Sequence, residues 1–173
     1  INDETDVATL AYLAKYKVTT LYIHHSKIPS ELLAHGNTLE HITISNSRYN
    51  RSKVALDTVK YLSRLNLLPN LKTVTLINSV VVDDADFIRR SELKRPQNPF
   101  ALVCVNSKIT ALPSETKLNH LALNGASEVI DFETLSHVGL QSMRFERTRF
   151  DTLPNTLPQS LKTLVFKDCY DLK

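Results

Sequence analysis

The sequence predicts an α/β fold in which short repeated segments stack side by side, each adding one strand to a parallel sheet. One apolar frame recurs in register and is clearest at Leu71–Val81, Leu140–Phe150 and Leu161–Leu172. Positions 1, 4 and 6 of the frame are apolar, and position 9 is small. Copies start near residues 18, 39, 71, 99, 118, 140 and 161, so successive starts lie 19 to 32 residues apart. That spacing is typical of stacked repeats.

Residues 1–17 are predicted to form an N-terminal capping helix. Asp3 can cap its start, and Val7, Leu10 and Leu13 follow at helical spacing. A stack of repeats needs a cover over its first open edge, which this helix would supply.

The segments that return from one copy to the next are predicted to be partly helical and partly extended. A helical turn at 29–35 ends at Gly36. The apolar pattern of 51–68 predicts the longest helix of the chain, and a second helix is predicted over 83–95. These two helices would account for the two longest spacings between copies.

Two copies are irregular. The fourth has Pro99 at position 1, and the fifth has its closing apolar residue displaced to Val129 or Ile130. Position 9 is small throughout, and most of its side chains can hydrogen-bond the backbone of a turn. In chain order, position 9 is Ser26, Ser47, Ser79, Ser107, Ala126, Thr148 and Cys169.

Residues 18–172 resemble the leucine-rich repeat family, whose core reads L-x-x-L-x-L-x-x-N/C-x-L. About seven irregular repeats fit it, although position 9 carries mainly Ser or Thr instead of Asn. The resemblance implies a right-handed horseshoe solenoid with its parallel sheet on the concave face and mixed helical and extended returns. Divergent repeats of this kind occur in adaptors, ubiquitin-ligase substrate receptors and some pathogen effectors, so the resemblance implies one of these classes as the function. The alternative is an ordinary α/β domain whose apolar alternation merely marks strands.

Composition bounds the class of protein. The chain has 173 residues, a net charge of +3 and two cysteines, and no window approaches 18 consecutive apolar residues. We therefore expect no membrane span. The cysteines, Cys104 and Cys169, would lie three strands apart as reduced thiols, so we expect an intracellular protein, with a secreted effector as the alternative. We also expect the sequence to be a fragment of a larger chain.

The frame predicts a surface for partners. Alternation along a strand sends positions 1, 4 and 6 into the core and positions 3, 5, 7 and 8 outward on the concave side of the sheet, here called the outer face. Its N-terminal end would carry aromatic and His side chains, its middle an apolar patch, and its C-terminal end mixed charges. The candidate partner-binding residues are Tyr22, His24, His25, Ile77, Val103, Val105, Arg144, Glu146, Arg147 and Lys167.

No catalytic or metal-binding constellation is expected. His24, His25 and His41 would lie near one another, but no Cys or carboxylate completes a zinc site. Asp83, Asp84 and Asp86 are interpreted as a helix cap. Motifs for nucleophilic, phosphate-binding and metalloprotease chemistry are absent from the sequence. The sequence thus predicts a non-enzyme without cofactors.

Three functions remain open. The first is a recognition module that binds another protein through the outer face. The second is a structural scaffold or subunit-interface segment of a permanent complex, with the apolar patch covered. Nucleic-acid binding is the third, and the mixed signs of the charged end disfavour it.

Overall fold

The computed structural model of the chain contains two sheets. It describes residues 15–24, 32, 36–46, 57–59, 62–81, 98–112, 116–125, 127–129, 135–136, 138–148 and 157–170. The predicted helix over 83–95 and most of the helix over 1–17 lie outside these ranges. The strands are β1 (Thr20–His24), β2 (His41–Ser45), β3 (Asp57–Val59), β4 (Thr73–Ile77), β5 (Ser79–Val81), β6 (Phe100–Val105), β7 (Lys108–Ile109), β8 (Leu118–Asn124), β9 (Glu128–Val129), β10 (Ser142–Glu146) and β11 (Thr163–Lys167).

The larger sheet has seven strands in the order β1-β2-β4-β6-β8-β10-β11, and the smaller has the order β3-β5-β7-β9. Every pairing is parallel, which confirms the predicted parallel sheet. The register aligns position 4 of all seven copies, from Leu21 in β1 to Leu164 in β11. Each copy of the frame therefore supplies one strand of the larger sheet.

The core lies on one side of the larger sheet. Its strands alternate buried and exposed residues, so Leu21 and Ile23 are buried whereas Tyr22 and His24 are exposed. Branched and aromatic side chains at positions 4 and 6 suit a pleated surface that is buried on one side. β11 departs from this pattern, because its core-side residue Leu164 is 38% exposed.

The predicted helix over 51–68 is wrong within its described part. Asp57–Val59 is strand β3, and Leu62–Leu67 is a 3₁₀ helix. The apolar residues of this segment lie three apart, which matches the 3.0 residues per turn of a 3₁₀ helix better than the 3.6 of an α-helix. Leu62, Leu65 and Leu68 are accordingly all buried.

The long second copy contains an insertion directly after its strand. β3 pairs with β5 so that Asp57 lies opposite Ser79 and Val59 opposite Val81. Asp57–Val59 thus takes the place of positions 9 to 11, which the frame had assigned to residues 47–49; those residues lie outside the described ranges. The extra residues of this copy therefore lie between β2 and β3, which accounts for the wide spacing.

Two other copies are shifted by one residue. Pro99 is exposed, and Phe100 is fully buried opposite Leu118, with a bulge between Phe100 and Ala101. Phe100 therefore takes position 1 in place of Pro99. In the fifth copy, Ser127 takes the position-9 role predicted for Ala126.

A ladder of small polar side chains runs beneath the larger sheet at position 9. The Ser107 hydroxyl lies 3.2 Å from the Leu76 carbonyl of the preceding copy, and the Ser127 hydroxyl lies 3.0 Å from the Cys104 carbonyl. Thr148 and Cys169 repeat this contact with Leu123 and Phe145 at 3.3 and 3.5 Å. The ladder gives each of these carbonyls a side-chain donor from the following copy, which ties neighbouring copies together.

Asn66, at the end of the 3₁₀ helix, ties three segments together. Its side chain is fully buried, and its Nδ2 donates to the carbonyls of Asn98 and Lys117, both at 2.7 Å. Its Oδ1 accepts the Lys117 N–H at 3.1 Å. All three hydrogen bonds connect residues more than 30 positions apart, so Asn66 fixes the return segments of neighbouring copies to one another.

We predict that Asn66→Ala lowers the free energy of unfolding by about 2–4 kcal/mol, because it leaves buried backbone groups without partners. Asn70→Ala is the matched control, since the exposed Asn70 makes one side-chain bond, to the Asn37 carbonyl, and we expect a loss below about 1 kcal/mol. Urea denaturation of both variants measures the difference. Equal losses would contradict the assignment of Asn66 as the tie.

Candidate functional site

The outer face of the larger sheet carries most of the predicted site residues in two straight columns. The pairing register places positions 5 and 7 of successive copies directly side by side. Position 5 reads Tyr22, Thr43, Thr75, Val103, Ala122, Arg144 and Val165, and position 7 reads His24, Ser45, Ile77, Val105, Asn124, Glu146 and Lys167. Side chains in adjacent strands of a column are about 4.8 Å apart, so each column forms a continuous surface.

Tyr22 and His24 form the N-terminal end of the face, and both are exposed. Tyr22 is 61% accessible. His25 lies outside the described residues. The predicted proximity of His24 and His41 is wrong, because His24 pairs with Ser45 whereas His41 pairs with Thr20, at the opposite end of the strand pair. Four residues, roughly 13 Å along the strand direction, separate the two positions.

The middle of the face is apolar and partly shielded. Ile77 lies directly opposite Val105, and Val103 is next to Thr75. All three apolar side chains are half-buried. Ala122 pairs with Val103 from the neighbouring strand and is only 6% exposed, so its small side chain leaves the surface lower beside Val103. These residues therefore form a low apolar surface between larger side chains.

The C-terminal end is a cluster of three cations around one carboxylate. Arg144 Nη2 donates to Glu146 Oε2 at 2.7 Å, and Lys167 Nζ donates to Oε1 at 3.1 Å. Arg147 Nη2 lies 3.5 Å from the same Oε1. Glu146 is 15% exposed, so it sits beneath its partners. Hydrogen bonds from Arg144 and Lys167 hold the pKa of Glu146 below its ordinary value.

His120 also lies on the outer face, although it is not among the candidate partner-binding residues predicted from the sequence. It occupies position 3 of β8, beside Ser142 of β10. Burial, and then the charge of Arg144, lower the pKa of His120, so its imidazole is neutral at pH 7. The sequence signal that could have identified His120 is its place at position 3 of the frame, an outward position two residues before Ala122.

Position 8 is a turn, not a third flat column. Asn78, Asn106, Arg147 and Asp168 have positive φ angles of 48–54°, and Gly125 has a φ of 67°. The N–H groups of Asn78, Asn106, Gly125 and Arg147 each donate to the carbonyl at position 7 of the next copy, as when the Arg147 N–H donates to the Lys167 carbonyl at 3.0 Å. Arg147 nevertheless keeps an exposed side chain. Asn46 differs, because it is buried and its Nδ2 donates to the Ser79 hydroxyl at 3.0 Å.

Other chemistry is limited in the part of the chain that the structure describes. Both cysteines are free, and burial raises the pKa of Cys104 to about 12, so its thiol is protonated and unreactive. Within the described ranges, no three His, Cys, Asp or Glu side chains converge on a possible metal position. The same ranges contain no helix with the length and apolar character needed to cross a membrane.

No protein-family model matches the chain, and no curated protein matches its sequence. The geometry of the outer face and of the sheet edges is therefore the basis for any functional proposal.

We predict that Glu146→Gln lowers stability by more at pH 7 than at about pH 3. A carboxyl with a lowered pKa in the folded state contributes stability above its ordinary pKa of about 4.3, and this contribution is lost as the pH falls. Urea denaturation of wild type and variant at both pH values measures the effect. Glu40→Gln is the control, since Glu40 carries one Lys partner, Lys72 at 2.7 Å, and we expect a smaller difference. An equal loss at both pH values would contradict the prediction.

We predict that Arg147→Gly raises the free energy of unfolding by about 0.5–1 kcal/mol, because glycine adopts the left-handed backbone without strain. Gly125→Ala should lower it by about 1–3 kcal/mol, since an added Cβ would approach Asn106 Oδ1 to 2.5 Å. Gly139→Ala has positive φ but open space around it, and so measures the backbone cost alone. Thermal and urea denaturation test the series, which fails if Arg147→Gly is destabilising.

Proposed function

We propose that the chain is a leucine-rich-repeat solenoid that acts as a non-catalytic protein-recognition module. Its partner binds the outer face of the seven-stranded sheet. The observation that carries the proposal is the graded face: aromatic and His side chains, then a low apolar surface, then a cation cluster, in adjacent columns of one sheet. The in-register strands and the polar ladder at position 9 support the assignment to the repeat class.

The apolar middle is the anchor of the proposed interface. Ile77, Val103 and Val105 are β-branched side chains on neighbouring strands. Apolar surface surrounded by polar residues is the usual anatomy of a protein-binding site. Because the patch is fixed by strand pairing, a partner would bind it without ordering the backbone first, which lowers the entropic cost of binding.

The cation cluster defines the polarity of the partner. Three cations around one carboxylate leave a local charge of +2, so an acidic group on the partner would complement Arg144, Arg147 and Lys167. An exposed charge pair of this kind contributes more to orientation and association rate than to affinity. The partner that fits best is a protein segment with an apolar stretch next to carboxylates.

The second candidate is a structural segment of a permanent complex. It is favoured by the apolar side chains left exposed on the core side of β11, where Leu164 is 38% accessible. In such a complex the chain would not exchange partners. Competition with excess unlabelled chain distinguishes the two functions, because a recognition module exchanges and a permanent subunit does not.

We predict that the paired substitution Ile77→Asp and Val105→Asp abolishes partner binding. Each places a charge in the apolar anchor, where the wild-type pair lies side by side. Affinity capture from native extract, with partners identified by mass spectrometry and then titrated as pure proteins, measures the effect. We expect a loss of affinity of at least about a hundredfold, since two buried apolar contacts are replaced by charges.

The matched control is Asn37→Asp with Gln159→Asp. Both residues are exposed and lie in turns away from the outer face, so the control adds the same charge elsewhere. Circular dichroism and urea denaturation establish that both double variants fold. Partners that bind all three proteins equally would overturn the outer-face proposal.

A further inference from the structure

Asn124 lies on the outer face between the apolar anchor and the cation cluster. It is at position 7 of β8, and the pairing register places it between Val105 of β6 and Glu146 of β10. Its side chain is half-buried, and its Oδ1 is buried without a hydrogen-bond donor among the residues that the structure describes. A buried acceptor without a donor costs free energy, so a ligand that supplies the donor recovers this cost. The terminal torsion of Asn is soft, so a small rotation can present Oδ1 to a ligand on the face.

A low track runs across the strands beside Asn124. Ala122, at position 5 of β8, lies directly between Val103 of β6 and Arg144 of β10. Ala122 is buried, and its methyl group is the smallest side chain in the position-5 column. A polypeptide that crosses the face over Ala122 would therefore meet the anchor at one end, the cation cluster at the other, and Asn124 at its side.

The donor that suits Asn124 is a backbone N–H group of an extended segment. An α-helix pairs its N–H groups internally, whereas an extended segment keeps them free for a partner. When an extended segment points alternate side chains at a surface, its N–H groups point along that surface. These groups can meet a side chain that stands in the neighbouring column, as Asn124 does. The face therefore favours an extended segment over a helix.

The spacing of the strands sets the spacing of the ligand's side chains. The anchor is centred between β4 and β6, and adjacent strands are about 4.8 Å apart, so β10 lies roughly 12 Å from that centre. In an extended segment, residues four apart are separated by about 13 Å and point to the same side, whereas residues three apart point to opposite sides. An apolar residue on the anchor thus places a residue four positions away over the cation cluster.

The β10 end of the track selects an acidic side chain. Arg144 is 41% exposed and Glu146 beneath it only 15%, so the cation and not the carboxylate meets the ligand. Arg147 adds a second, more exposed cation at the rim. Arg has five N–H donors, and Arg144 donates one hydrogen bond to Glu146, so further donors remain for a ligand carboxylate.

We propose that the outer face binds an extended, acidic segment of a partner protein that crosses the strands over Ala122. One apolar side chain packs on the anchor, Asn124 Oδ1 accepts one backbone N–H, and a carboxylate four residues from the apolar side chain binds Arg144 and Arg147. The inference rests on the proposed function and narrows the partner from any protein surface to a peptide with apolar and acidic residues four apart.

Two peptides of equal composition test this spacing. The sequence Gly-Ser-Leu-Ser-Ala-Ser-Glu-Ser-Gly places Leu and Glu four apart, and Gly-Ser-Leu-Ser-Ala-Glu-Ser-Ser-Gly places them three apart. Both are also made with reversed sequence, so that either chain direction is tested. Chemical-shift titration of the ¹⁵N-labelled 173-residue chain measures the dissociation constants. We expect the four-apart peptide to bind at least about fivefold more tightly in one direction, because the other points Leu and Glu to opposite sides. Equal affinities in both directions, or no shifts at millimolar peptide, would overturn the proposal.

Asn124→Ala tests the backbone contact. It should weaken the four-apart peptide by about three- to tenfold, which corresponds to one hydrogen bond. Asn119→Ala is the matched control, since Asn119 is exposed at position 2 of the same strand, and it should not weaken binding. N-methylation of one of the three residues between Leu and Glu should weaken binding to the wild type but not to Asn124→Ala, because both changes remove the same hydrogen bond. If no methylated peptide behaves in this way, the proposed contact is wrong.

Arg144→Gln tests the acidic end of the segment. It should weaken the four-apart peptide at least about threefold and should have no effect on the same peptide with Glu replaced by Gln. Lys72→Gln is the control, because Lys72 is an exposed cation that pairs with Glu40 away from the track, and it should affect neither peptide. Equal weakening of both peptides by Arg144→Gln would contradict a carboxylate contact. Circular dichroism establishes that all of the variants fold.

Failure of this inference can be told apart from failure of the proposed function. If partner capture is lost with Ile77→Asp and Val105→Asp but no peptide binds, the outer face recognises a folded protein surface and the extended segment is wrong. If capture survives those substitutions and no peptide binds, both proposals are wrong. Strong sequential amide–amide NOEs in the bound peptide would indicate a helix and would also overturn the extended segment.

Discussion

Five strands of the larger sheet, β4, β6, β8, β10 and β11, end in a residue with a left-handed backbone at position 8, and the polar backbone groups beside it need hydrogen-bond partners. The chain meets this constraint with two adjacent positions. Position 8 adopts a left-handed conformation that points its N–H at the next copy, and position 9 places a small donor beneath a carbonyl of the preceding copy. Buried backbone groups without partners are costly, so this pair of positions determines how the copies stack.

The same repetition gives the sheet its continuous outer face. Because the strands pair in register, positions 5 and 7 form straight columns. A short sequence pattern is thereby converted into a continuous outer face whose chemistry changes from one end to the other.

The sequence was sufficient to predict the parallel sheet, the residues at positions 4 and 6 that fill the core, and the two outward columns. These follow from period-two alternation, which the backbone enforces. The sites of insertion could not be predicted. A bulge lets Phe100, and not Pro99, fill the apolar position 1. One extra turn residue lets the Ser127 hydroxyl, and not Ala126, take position 9. The frame alone does not show where the chain absorbs an extra residue.

The separation of His24 and His41 shows a second limit. Assigning residues to neighbouring strands did not fix their position along the strands, and only the pairing register shows that they lie at opposite ends. The cation cluster shows the same limit. The sequence predicts that its members face outward, but the burial of Glu146 beneath Arg144 and Lys167 depends on side-chain geometry that spacing along the sequence does not determine.

Arg147 links the folding constraint to the proposed function. Four other copies place Asn, Gly or Asp at the left-handed position, residues that tolerate this backbone conformation, whereas Arg pays a steric cost there. Its side chain is 67% exposed, and its contact with Glu146, at 3.5 Å, is a surface ion pair that contributes little stability. Stability therefore gives no reason for Arg at this turn. The proposed function does give a reason: Arg147 holds a charged group at the rim of the outer face, where an acidic partner would bind. Strained residues persist where their side chains are used.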